Sequence, residues 1–211
     1  MQALLRLSRA IDWLNERIGR IIIWFVLIAV LISAGNAIIR KTFDVSSNAW
    51  LEVQWYLFSA IFLIGAGYTL LRNEHVRIDV LLHRYSKRTQ MKIDIFGLIF
   101  FLLPATYVIA TEAWPLFVNA FVTKEMSENA GGLIRWPVYL LLPVGFVLLA
   151  VQGVSELIKR IAFLQGLIED PTKKKVEKSL EDELAEELRA KAERDIADEA
   201  VRIGTADGDR K

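Results

Sequence analysis

The sequence predicts an all-α integral membrane protein with four transmembrane helices, an N-terminal amphipathic helix and a charged C-terminal cytoplasmic helix or tail. Three observations carry that fold class. Apolar residues make up 54% of the 211, and they gather into long runs instead of spreading through a globular pattern. Residues 21–39 and 53–71 each hold nineteen uncharged residues, a helix length of roughly 28 Å that matches the hydrocarbon core of a bilayer. Charge is segregated as well: residues 1–168 carry 16 basic and 11 acidic side chains, and residues 169–211 carry 10 and 14.

Residues 1–20 place Leu4, Leu7, Ile11, Leu14 and Ile18 at alternating spacings of three and four, with Arg6, Arg9, Glu16, Arg17 and Arg20 mostly off that stripe. This is the pattern of an amphipathic helix, and its arginines suit the headgroup layer of anionic lipid. The first span follows at about 21–39. Its apolar run is too long for a secretory leader, so it is read as retained. A short connector, residues 40–51, ends in Trp50, with Trp55 and Tyr56 just beyond it at the level where aromatic side chains mark a membrane interface.

The second span, about 53–71, is rich in small residues. Ser59, Ala60, Gly65, Ala66 and Gly67 are read either as faces on which another helix can approach closely or as a span that simply tolerates glycine, which is common in membrane helices. The basic stretch that follows, residues 72–92, contains an apolar stripe of Ile78, Leu81, Leu82 and Tyr85 that Asp79 would cap, which predicts a short helix on the membrane surface. The third span, about 95–121, is interrupted by Glu112, Pro104 and Pro115, and the apolar segment exceeds one bilayer crossing, so the helix is expected to tilt, bend at a proline or protrude. Residues 124–135 are a polar turn around Gly131-Gly132, and the fourth span runs over about 136–157 with Pro137 in its first turn and Pro143 inside. Residues 161–211 are read as a charged cytoplasmic tail, with helix-forming composition in part but no sustained heptad.

Lys and Arg set the orientation. Four precede the first span, six follow the second and several follow the fourth, against two in each of the other connectors. The positive-inside rule therefore puts both termini in the cytoplasm.

Function classes narrow by exclusion. Cysteine is absent, so disulfides, thiolate metal sites and thiol catalysis are excluded. The near balance of 26 basic and 25 acidic residues gives no footprint for nucleic acid. His75 and His83 both lie in the basic loop and not in a span, which disfavours a haem held between helices and a histidine metal site. No catalytic motif such as HExxH or GxSxG occurs, so neither an enzyme nor a bound cofactor is expected.

Two acids interrupt the apolar segments. Glu52 and Glu112 are expected near the outer end of their spans, Glu112 because it comes 18 residues after Asp94. Each is read either as a carboxylate paired with Arg40, Lys41 or Arg135, or simply wet, or as the ion-binding group of a small self-sufficient proton-coupled carrier. An ionisable group costs about 2.5–3.5 kcal/mol at the bilayer centre and less near an end, and that favours the first reading.

Arg40 with Phe43, Trp50 and Glu52, then Gly65-Ala66, Tyr68, Arg72, Glu74-His75 and Ile78-Asp79, form a pattern that resembles the small membrane subunit, the DctQ type, of TRAP (tripartite ATP-independent periplasmic) transporters. The run WPVYLLLPVGF, with Trp136, Tyr139, Pro143 and Gly145, looks like that family's fourth helix. The resemblance covers about residues 10–160. It departs from the family where Arg135 stands in place of a proline before Trp136, and the tail lies outside it. It implies a non-enzymatic subunit of a bacterial inner-membrane complex that scaffolds a large membrane subunit. The complex takes up an organic acid on a sodium or proton gradient, and a periplasmic substrate-binding protein delivers that acid. With the small residues of the second span, it gives Arg40, Glu52, Gly65, Gly67, Tyr68, Arg72, His75, Asp79, Trp136 and Pro143 as candidates for the partner interface. Glu52 would pair with Arg40 to hold the first two spans together or reach a basic group on the large subunit. Lipid bilayer surrounds the rest.

Overall fold

The computed structural model describes residues 1–44, 47–74 and 85–171, together with Leu188 and Lys191. Contacts divide the chain into Met1–Thr172 and Lys173–Lys211, and the second unit falls almost wholly outside the described residues. The first unit is built from four helices, α1 (Gln2–Phe43), α2 (Asn48–Leu71), α3 (Lys87–Thr123) and α4 (Trp136–Leu164), each long and apolar enough to cross a membrane. The short helix expected after Asp79 lies outside the described residues, apart from Tyr85.

The N-terminal amphipathic segment and the first span form one 42-residue helix. Its buried residues, Ser8, Asn15, Gly19, Ile22 and Ala29, follow a near-heptad line that is mostly small or polar, while Leu4, Leu7 and Leu14 point outward. Small residues let backbones approach and polar ones bond across the gap, and large apolar side chains are left to lipid or a partner. Arg40 and Lys41 complement the negative end of the helix dipole, and Asp44, in the left-handed region at φ 54°, ends it.

α3 starts earlier than the apolar run suggests, because the Ser86 hydroxyl caps it by accepting from the Thr89 N–H at 3.4 Å. α3 contains a π turn at Leu98–Leu102, just before Pro104, closed by the Leu103 N–H donating to the Leu98 carbonyl. Pro104 lacks the N–H that would bond four residues back, and a widened turn accommodates that loss. α4 overshoots its expected end by about two turns, through Lys159 and Arg160 to Leu164. It stops in a Schellman motif at Gly166, φ 74°, where the Leu167 N–H donates to Ala162 O at 3.0 Å and the Gly166 N–H to Phe163 O at 2.9 Å.

α4 is the hub of the bundle. It packs against α1, α2 and α3, and α1 also packs against α2. α4 lies close against the α2 backbone at Gly145, where a Cβ would fall 2.7 Å from Leu63 O and 2.9 Å from Leu63 C. That neighbour is backbone and cannot rotate away. Gly145→Ala is therefore expected to lower stability by about 1–3 kcal/mol, whereas Gly35→Ala, with nothing within 4 Å of its Cβ, should not lower it. Thermal unfolding of the two variants in one detergent checks the contrast.

Candidate functional site: polar clasps at both ends of the bundle

At the end of the bundle formed by residues 124–135, one face of α2 grips the loop. Asn48, Glu52 and Tyr56 lie four residues apart on a helix and so share that face. Asn48 Nδ2 donates to Ala130 O at 3.0 Å, and Tyr56 OH donates to Ile134 O at 2.9 Å. Between them Glu52, only 5% exposed, accepts from the Leu133 N–H at 2.6 Å, from Asn129 Nδ2 at 2.9 Å and from the Ser127 hydroxyl. The loop is braced internally too. The Ser127 N–H donates to Leu133 O at 2.9 Å, the Arg135 N–H to Glu125 O at 2.9 Å, and Arg135 Nη1 lies 3.1 Å from Glu125 Oε1. The Glu125 side-chain hydrogen bond holds the Arg135 guanidinium above its usual range. Gly132 has to be glycine, since a Cβ there would meet Ser127 Cβ at 2.5 Å and Glu52 Oε1 at 2.9 Å.

Glu52 therefore does not pair with Arg40. That residue is exposed at the end of α1, and no ion pair joins the two among the described residues. Glu52 binds the loop between α3 and α4, more than seventy positions away in sequence, and Arg135 contributes only a through-space attraction.

At the other end of the bundle, α4 carries a denser network. Arg160, 2% exposed, donates from Nε to Asp94 Oδ2 of α3 at 3.0 Å and from Nη1 to the carboxylate of Glu156. Lys159 Nζ lies 3.0 Å from Asp12 Oδ2 of α1 and 2.5 Å from Glu156 Oε1. The Ser155 hydroxyl donates to Asp12 Oδ1 at 2.6 Å and shares a 2.7 Å hydrogen bond with the Ser8 hydroxyl. Gln152 closes the set: Nε2 donates to Asp12 Oδ1 at 3.0 Å and Oε1 accepts from Asn15 Nδ2 at 2.9 Å. α1, α3 and α4 are thus joined through charges that each help neutralise another. α2 joins at its C-terminus, where Arg72 Nη2 meets Glu16 Oε1 of α1 at 2.7 Å and the Arg72 guanidinium sits 5.3 Å from the Tyr68 ring centre. The Tyr68 ring in turn packs flush on Gly19.

The interface candidates divide between the inside and outside of the unit. Glu52, Gly67 and Pro143 are buried within it, Gly67 against Asn15 of α1 and Leu148 O of α4. Gly65 makes ordinary contact with Ile22, and Tyr68 and Arg72 close the α1–α2 joint. Half-buried Trp136 stacks edge-on with Phe121 at 5.6 Å between ring centres. His75 and Asp79 lie outside the described residues.

Sequence reasoning missed the Arg160 network. Its signal was present in two places. Glu156, Lys159 and Arg160 stand three and four apart directly after an apolar run, and Ser8, Asp12 and Asn15 make a polar line beside the apolar stripe of α1.

Taking a charge out of water costs several kcal/mol per ion unless a partner and the remaining hydrogen bonds restore it. These side chains are restored by one another. Among the described residues no set of three His, Cys, Asp or Glu side chains could hold a metal ion. What such clasps do physically is fix four helices in one arrangement.

Residues 29–163 match the family model described as "Tripartite ATP-independent periplasmic transporters, DctQ component". No curated protein and no solved structure matches the chain.

Proposed function

The chain belongs to the DctQ component family of the tripartite ATP-independent periplasmic transporters, and from that premise we propose that this small permease subunit is a rigid scaffold for the large membrane subunit. In this reading the large subunit moves an organic acid, with sodium or protons, after a periplasmic binding protein has delivered it. The small subunit lies in the bacterial inner membrane with both termini in the cytoplasm, as its Lys and Arg asymmetry suggests.

One observation carries the proposal: the buried charges of the bundle are engaged within the chain. A carboxylate that couples transport to an ion has to exchange its partner during the cycle. Glu52 instead accepts three hydrogen bonds from one loop, and Glu156 is held by Lys159 and Arg160. That favours a fixed body over a self-sufficient carrier built on Glu52, since carriers place exchangeable polar groups beside broken helices at the midplane.

Affinity purification of the full chain from native membranes tests the reading. A many-span membrane protein in fixed stoichiometry is the expected companion. Recovery of the chain alone from gently solubilised membranes would contradict it.

Because Met1–Thr172 forms a unit by itself, truncation after Pro171 should leave membrane insertion and recovery of the companion within about twofold of the full chain. A larger loss would place part of the assembly surface in residues 172–211.

A further inference from the structure

α3 has two faces of opposite use. Thr106, Ala113 and Ala120, seven apart, are buried toward the bundle, and the helix packs mainly against α4. A second line, Ala105, Val108, Glu112, Pro115, Asn119 and Val122, runs along the outside at alternating spacings of three and four. Every one of its residues is exposed, Val122 at 72%. That alternation is the seam a helix presents to another helix crossing at a shallow angle.

Glu112 makes this seam more than a lipid-facing surface. It does not lie close to a helix end, since α3 continues eleven residues further to Thr123. At 1.5 Å per residue it stands roughly 27 Å from Asp94 and roughly 18 Å from Lys124, the charges that flank the apolar stretch. Asp94, Glu52, Glu156, Lys159 and Arg160 all have partners inside the unit. Glu112 has none among the described residues, and it points away from the bundle. Ionisable side chains inside a membrane almost always face protein or water and are paired. Acyl chains supply neither hydrogen bonds nor positive charge.

We propose that this outer seam of α3 is the surface on which a membrane-spanning helix of the large transporter subunit docks, with an arginine or lysine of that helix engaging Glu112. The proposal rests on the scaffold reading above. A second copy of the chain fits less well. A twofold contact through one face sets that face against itself, and this seam carries an acid and no base. Asn119, one heptad from Glu112, adds a second hydrogen-bonding group to the same line.

The chain has no cysteine, so single cysteines are clean probes. Ala105→Cys and Val122→Cys on the seam, and Val30→Cys on the exposed side of α1, are introduced into the full chain, co-expressed with the large subunit and treated in membranes with a thiol-reactive photo-crosslinker. The seam positions are expected to give adducts with the large subunit and Val30→Cys none. Glu112→Lys is expected to cut recovery of the large subunit by roughly thirtyfold or more, and Glu112→Gln by less. Both variants should keep the thermal unfolding temperature of the isolated wild-type chain.

Seam adducts only with lipid or with a second copy would overturn the proposal. So would a Glu112→Leu complex as stable as wild type. Either result beside an intact wild-type complex fails this surface alone. A wild-type chain that recovers no large subunit fails the scaffold reading with it.

Discussion

Replacing Arg160 with alanine is expected to be among the most destabilising single changes in this chain, costing about 3–5 kcal/mol. The guanidinium is 2% exposed and connects Asp94 on α3 to Glu156 on α4. Its removal takes away the Asp94–Arg160 ion pair and leaves Lys159 to serve Glu156 and Asp12 together. α3 packs on the bundle mainly through α4, so the loss should show first as loosening of the α3–α4 contact at this end. For a unit of this size the unfolding temperature should drop by roughly 10 °C, followed by circular dichroism in detergent. Arg160→Lys keeps the charge but cannot span both carboxylates with the same fork, and should fall between. An alanine variant melting within about 2 °C of wild type would mean that this network contributes little to the fold.

Glu52→Ala is the second large effect, and it should be local. It strips the acceptors from the Leu133 N–H, Asn129 and the Ser127 hydroxyl at once. Losing charge-assisted bonds and leaving donors unmet should cost about 3 kcal/mol. Hydrogen exchange reads this directly: protection of the Leu133 amide should fall by roughly a hundredfold, while amides in the middle of α4 change little. Glu52→Gln keeps one acceptor but turns an amide N–H₂ toward groups that themselves donate, so it should recover only part. Glu112→Ala, which removes no contact inside the unit, should leave the isolated chain's stability and exchange unchanged. Equal effects from the two glutamates would refute the distinction drawn between an internal clasp and an outward-facing group.

These two sites also mark where the sequence was and was not legible. The first, second and fourth spans could be read from uncharged runs of bilayer length, and the third from a longer apolar segment broken by Glu112. The ends of α1 and α4 could not. A hydropathy scan stops at the first charges, whereas Glu156, Lys159 and Arg160 continue the helix because partners on α1 and α3 offset their burial. Lys159 and Asp12 are 147 positions apart, and no local pattern reports such a pairing. Glu52 was recognised as an acid in need of a partner, and Arg40 and Lys41 were the closest candidates along the chain. The loop that engages it folds back through Gly131 and Gly132, whose role as a turn could be seen but whose target could not. The small residues of α2 could be read as a close-packing face or as a span that merely tolerates glycine, and Gly67 packs closely on α1 and α4 of its own chain. α3 continues eleven residues beyond Glu112 to Thr123, so this acid sits within the helix and not at its end.

The central claim, that this chain fixes a transport partner in place and does not itself move solute, is tested most directly by uptake into sealed liposomes. The full chain is reconstituted alone, and in parallel with the large subunit plus the binding protein. Radiolabelled organic acids are then offered under an inward sodium gradient and, separately, an inward proton gradient. The account predicts background counts for the chain alone under both gradients and accumulation only in the complete system. Gradient-driven accumulation by the isolated chain, abolished by Glu112→Gln or Glu52→Gln, would contradict it.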